Sequence, residues 1–137
     1  MPRITGLLEA ALYVDDMDRA VAFYETVMQL PVMTRADRLT AFDAGRQGVL
    51  LVFRRGETRQ DVQLAGGTIA GHDGNGPLHM AFAVPAEDLD GWRRHLAANG
   101  VAIHSEMAWS RGGHSLYFHD PDGHVIELAT PGLWPNY

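Results

Sequence analysis

Apolar and polar positions alternate along residues 6–14, GLLEAALYV: Leu8, Ala10, Leu12 and Val14 fall on one face of an extended strand and Glu9, Ala11 and Tyr13 on the other. The period then changes. In DDMDRAVAFYETVMQL, residues Met17, Ala20, Val21, Tyr24, Val27 and Met28 recur at helical spacing, and Asp15 or Asp16 can cap the start. Short strands follow at PVMTR, RLTAFDA and GVLLVFR, separated by turn-prone Asp and Gly. From Pro77 the order begins again. LHMAFAV reads as a strand, and PAEDLDGWRRHLAANG as a helix with Pro85 near its start and Gly100 as its stop. VAIHSE, HSLYFHD and HVIELAT are the closing strands, the last two joined by a DPDG turn.

The chain is thus written twice. The repeat predicts an α+β fold, a single domain over 1–137 made of two βαβββ modules at roughly 4–54 and 77–130, whose curved sheets form a cavity. RGETRQDVQLAGGTIAGHDGNG, between the modules, reads as a long polar connection of the kind that carries function or crosses between subunits.

Two-residue spacing assigns the polar side chains to faces. Leu78, Met80, Phe82 and Val84 share the face that meets the helix, leaving His79, Ala81 and Ala83 opposite; Ile126 and Leu128 likewise stand opposite Val125, Glu127 and Ala129. Three strands therefore repeat one pattern, a polar group followed two residues later by alanine: Glu9 with Ala11, His79 with Ala81, Glu127 with Ala129. The small neighbours leave room beside each polar group. An ionised carboxylate in an apolar strand costs several kcal/mol unless a partner replaces its water. A divalent cation held by Glu9, His79 and Glu127, with positions left open for water or substrate, would supply that partner.

Composition narrows the chemistry. The 137 residues are 46% apolar and 20% charged, as in an ordinary folded protein of one domain. A formal net charge of -6 with scattered Lys and Arg disfavours nucleic acid and anionic lipid, so small molecules are the expected partners. With no cysteine, disulfides and thiolate metal sites are excluded, and a metal must take nitrogen and oxygen ligands. The absence of a leader pattern in MPRITGLLEA and of a long apolar run predicts a soluble cytoplasmic protein that does not span a membrane.

LLEAALYVDDMDRAVAFYETVMQL, GPLHMAFAVP and HSLYFHDPDGHVIELATPG resemble the vicinal oxygen chelate superfamily, the glyoxalase, bleomycin-resistance and extradiol-dioxygenase group, over nearly the whole chain. The resemblance implies metal ligands at Glu9, His79 and Glu127. It also implies a fourth position, used in glyoxalase I types, which falls here on Leu51; the chain is accordingly more similar to three-ligand members. Those members carry two His and one carboxylate, so Glu9 is a departure. Short members are usually homodimers, which allows Glu9 from one subunit to join His79 and Glu127 of the other.

These readings give a small metalloenzyme that uses Mn, Fe, Ni or Zn as a Lewis acid on a substrate with vicinal oxygens, in isomerase, lyase, thiol transferase or dioxygenase chemistry. Water, or a momentary release of Glu9 or Glu127, would supply the base, which makes Glu127 a candidate catalytic residue; Tyr117 is the second, lining the site beside His119. The alternative is a binding protein without catalysis, holding an aromatic or cationic drug against Tyr13 and Tyr117 as bleomycin-resistance members do. HDPDGH reads as a turn, not a calcium loop. Trp92, Trp109 and Trp134 read as core or interface anchors. No glycine cluster has a phosphate-cradle context.

Overall fold

The strand period at the N-terminus takes hold at Glu9, where β1 (Glu9–Val14) begins. The structure, a computed structural model, describes all 137 residues. Leu7 and Leu8, expected inside this strand, lie before it at 87% and 66% exposure. Glu9 is therefore the exposed entry of β1, and it keeps its hydration without a buried partner. Asp16 caps α1 (Met17–Ala22), its carboxylate accepting the Arg19 amide at 3.0 Å. The helix then widens into a π turn, Phe23–Val27, closed by the Met28 amide on the Phe23 carbonyl at 3.1 Å. The extra residue per turn lets Phe23, Tyr24, Val27 and Met28 all turn inward.

β2 (Val32–Arg35), β3 (Leu39–Asp43) and β4 (Val49–Arg54) complete a four-stranded sheet in the order β1-β4-β3-β2, with β1 parallel to β4. The second repeat gives the same arrangement. β7 (His79–Ala83), α2 (Leu89–Ala98), β8 (Ser105–Ala108), β9 (His114–His119) and β10 (Val125–Ala129) build a sheet ordered β7-β10-β9-β8, with β7 parallel to β10. A 3-10 turn at Ala86–Asp88 leads into α2.

Two local expectations shift. VAIHSE was expected to form a strand, but Val101 is drawn into the end of α2, its amide on the Leu96 carbonyl at 2.9 Å after Gly100 turns at φ 70. β8 consequently starts only at Ser105. The connection between the repeats contains a small hairpin, β5 (Val62–Leu64) paired with β6 (Gly67–Ile69), where the sequence showed only a polar linker. Its strands of three residues are too short to give a periodic signal.

The chain forms two compact units, 1–76 and 77–137, each with its own core. Leu12, Tyr24, Phe42 and Val52 are fully buried in the first, as are Leu96, Leu116, Phe118 and Ile126 in the second. Each such side chain contributes roughly 1.5–3 kcal/mol through removal from water. No helix is long and apolar enough to cross a membrane.

Candidate metal centre and cavity

In the second unit, parallel pairing sets His79 opposite Val125, and antiparallel pairing sets Tyr117 opposite Glu127, so all three candidate side chains emerge on one face. His79 Nε2 lies 3.2 Å from Glu127 Oε2. Both groups are fixed from behind. His79 Nδ1–H donates to the Val125 carbonyl at 3.0 Å, which leaves the lone pair on Nε2. Glu127 is 4% exposed, and its Oε1 accepts the Ser115 hydroxyl at 2.5 Å. Ser115 in turn accepts the Trp109 indole N–H at 2.8 Å. Trp109, expected as a plain anchor, is thus tied to the site; Trp134 is 63% exposed and anchors nothing in the chain's core.

The donor pair fits a metal. Two ligands each about 2.1 Å from a cation and at right angles to one another are about 3.0 Å apart, close to the separation seen. A ligating histidine ordinarily donates its other N–H to a carbonyl, and a ligating carboxylate is itself hydrogen-bonded, as both are here. Glu9, the third expected ligand, belongs to the first unit, and the chain gathers no group of three His, Cys, Asp or Glu side chains that could hold a metal. Burial, followed by the hydrogen bond and charge of Glu127, holds the Tyr117 phenol above its usual range, so it stays a donor at neutral pH.

Glu9 instead faces a cavity of about 470 Å³ in the first unit, with Ala11 and Tyr13 beside it on β1 and Leu51 and Phe53 on β4. Leu51, on which the resemblance places the fourth ligand position, lines the cavity with an apolar side chain. Arg38, Thr58 and Gln60 add polar groups, and Val62 and Ile69 of the hairpin add apolar ones. The sequence reading missed His72, which lines the same cavity with Nδ1 2.6 Å from the Tyr13 hydroxyl. Its only signal was its place in a glycine-rich connection, since no strand period reaches it. Burial, then the negative charge of Asp73, raises the Tyr13 phenol above its ordinary value.

The remaining histidines are structural or peripheral. His124 is fully buried, and its Nδ1 accepts the Leu78 amide at 2.9 Å. Asp120 Oδ1 accepts the amides of Asp122 and His124 at 3.0 and 2.8 Å, so HDPDGH is the expected turn. His119 stacks edge-on against His104 at 5.1 Å.

The two units repeat one four-stranded sheet order, and the second displays a histidine and a carboxylate from neighbouring strands. The family model described as Glyoxalase/Bleomycin resistance protein/Dioxygenase superfamily matches residues 6–128, and the chain belongs to that superfamily. Among curated relatives it is 30% identical to the Metallothiol transferase FosB of Bacillus licheniformis, over 96% of this chain and 79% of that one. It is 25% identical to the Fosfomycin resistance protein FosX of Listeria innocua, over 95% and 92%. Among solved structures it resembles a lactoylglutathione lyase from Agrobacterium tumefaciens, at 28% identity, TM-score 0.88, and 98% and 99% coverage. The protein is a metal-dependent enzyme of this superfamily.

Proposed function

We propose that the protein is a divalent-metal-dependent enzyme of thiol chemistry, joining a thiol to a small electrophile with adjacent oxygens or rearranging such an adduct. The observation that carries this reading is the His79–Glu127 pair, 3.2 Å apart, with both outer atoms already hydrogen-bonded. The names of the relatives support it, since a metallothiol transferase and a lactoylglutathione lyase both handle thiols or their adducts. Glu9 of a second copy completes the ligand set in a homodimer, giving two carboxylates and one imidazole. This hard set suits Mn, Fe, Ni or Zn. The bound cation would polarise the adjacent oxygens of the substrate.

The protein's own groups do the rest. Ser115 and Trp109 hold Glu127 so that Oε2 faces the site. Tyr117, kept protonated, donates a hydrogen bond to the oxygen on which charge develops. For an epoxide substrate the thiol sulfur bonds to a ring carbon, that carbon's bond to oxygen breaks, and the thiol proton ends on the released alkoxide.

Elemental analysis after reloading with Mn, Ni or Zn, followed by an assay of thiol loss with fosfomycin and glutathione and of S-lactoylglutathione formation, tests the reading. One metal per chain, with turnover in either assay that chelation abolishes, is the expected result. A reloaded protein that binds no metal overturns it and leaves drug sequestration as the activity to assay.

A further inference from the structure

The strand register gives the first unit's cavity a direction. Tyr13, Phe53 and Leu39 lie side by side across β1, β4 and β3, whereas Glu9, Val49 and Asp43 form the row four residues away. At about 3.3 Å per residue the two rows are about 13 Å apart. Arg38 immediately precedes Leu39, and His72 reaches the Tyr13 hydroxyl, so both basic side chains belong to the Tyr13 end. Glu9 marks the other end. Between them the row of Ala11, Leu51 and Ala41 is apolar, and Ala11 and Leu51 line the cavity.

His72 is held in place although it is exposed. Its amide donates to the Thr58 carbonyl at 2.8 Å, and its carbonyl accepts the Thr58 hydroxyl at 2.6 Å. Its ring meets Phe53 edge-on at 4.8 Å. Two glycines make this path possible. A Cβ on Gly71 would come within 2.5 Å of the Arg59 carbonyl oxygen, and one on Gly74 within 2.3 Å of the Tyr13 ring. With Nδ1 engaged by Tyr13, Nε2 is the nitrogen left for a ligand. The other nearby cations are committed elsewhere: Arg55 to Asp15 at 2.9 Å, and Arg59 to Asp73 at 2.9 Å. Arg38 donates to the Glu57 carbonyl at 3.3 Å. The imidazole is thus held at several points while Nε2 is left outward, which lowers the ordering cost of receiving a ligand there.

We propose that this cavity takes an elongated organic acid, its carboxylate received by His72 and Arg38 and its apolar stem laid along Ala11 and Leu51 toward Glu9. Tyr13 is the positioning residue that orients His72. The inference rests on the metal-enzyme reading only for what happens at the Glu9 end; the carboxylate end stands on the register and on the His72 contacts.

The test uses octanoate and 1-octanol, probes of one stem length that differ in charge, on the metal-free full chain. Binding is followed by calorimetry and by the ring-nitrogen resonances of His72. Octanoate is expected to bind at least about tenfold more tightly than octanol, a difference of about 1.4 kcal/mol or more, and to shift the His72 resonances, since the hydrogen bonds it would accept are to a charged group. His72→Gln and Arg38→Gln should each remove most of that preference, and Tyr13→Phe a smaller part. Equal binding of the two probes, or unchanged octanoate affinity in folded His72→Gln and Arg38→Gln, overturns the proposal. Neither probe chelates and no metal is added, so failure here leaves the metal reading intact, and a failed metal analysis leaves this result intact.

Discussion

Ser115 donates its hydroxyl to Glu127 at 2.5 Å from the neighbouring strand, and both side chains are buried. That bond occupies Oε1 and leaves Oε2 facing His79, so the carboxylate is aimed before any cation arrives. Ser115→Ala should weaken metal binding about tenfold, as loss of an outer partner commonly does, while Ser115→Thr retains the affinity. It also strands the Trp109 indole N–H, so a loss of roughly 1–3 kcal/mol in unfolding free energy is expected alongside. Metal titration monitored by Trp109 fluorescence reads the first effect and thermal melting the second. Unchanged affinity in a folded Ser115→Ala protein would count against the aiming role.

A site shared between copies can be tested by mixing. Glu9→Gln and His79→Ala should each bind metal poorly alone. Co-refolded in equal amounts, half of the dimers are mixed and each mixed dimer has one intact site of two, so about one quarter of the sites should recover. Elemental analysis of the mixture is the measurement. If recovery stays at the level of the separate variants, Glu9 does not come from a second copy.

Gly74 lies against the face of Tyr13, where an added Cβ would sit 2.3 Å from the ring. Gly74→Ala should therefore push the connection off β1, cost roughly 1–3 kcal/mol and release His72 from Tyr13. The melting temperature and the His72 ring resonances should move together. A full-stability variant with unshifted His72 would show that the connection absorbs the methyl group.

Two groups contribute to the pH dependence of stability in opposite directions. The folded value of Tyr13 is raised above its ordinary 10.0, first by burial and then by Asp73, so its contribution to stability is complete below about pH 10 and is lost as pH rises beyond it. Glu106 is lowered from its ordinary 4.5, first by the hydrogen bond from Arg93, so its contribution is present above that value and fades as pH falls below it. Tyr13→Phe should flatten the alkaline limb of a stability profile and Arg93→Met the acid limb, read by urea unfolding across pH.

The sequence carried the duplicated fold clearly because each apolar face has a period: Leu12 and Val14, Ile126 and Leu128 are buried where alternation put them. It carried His79 and Glu127 for the same reason, since strand parity alone places them on one face. Glu9 was harder. Parity gave its face, but only the structure shows that β1 starts at this residue and that it is exposed. His72 was illegible because its position depends on Thr58, Phe53 and Tyr13, which lie 14, 19 and 59 residues away in the chain, and on two glycines whose lack of a side chain leaves no pattern. The Trp109–Ser115–Glu127 chain was hidden likewise, because a hydrogen-bond partner has no periodic signature.

The short hairpin of Val62–Leu64 and Gly67–Ile69 brings Val62 and Ile69 to the cavity wall but contributes none of the proposed metal ligands. Its turn and outer residues lie on the surface, paired only to each other. This segment can therefore change length and side chains while the reactive end of the protein stays fixed. Such a hem, stitched to the rest by Thr58 and His72, is where a lineage could retailor which compounds it accepts without rebuilding the chemistry.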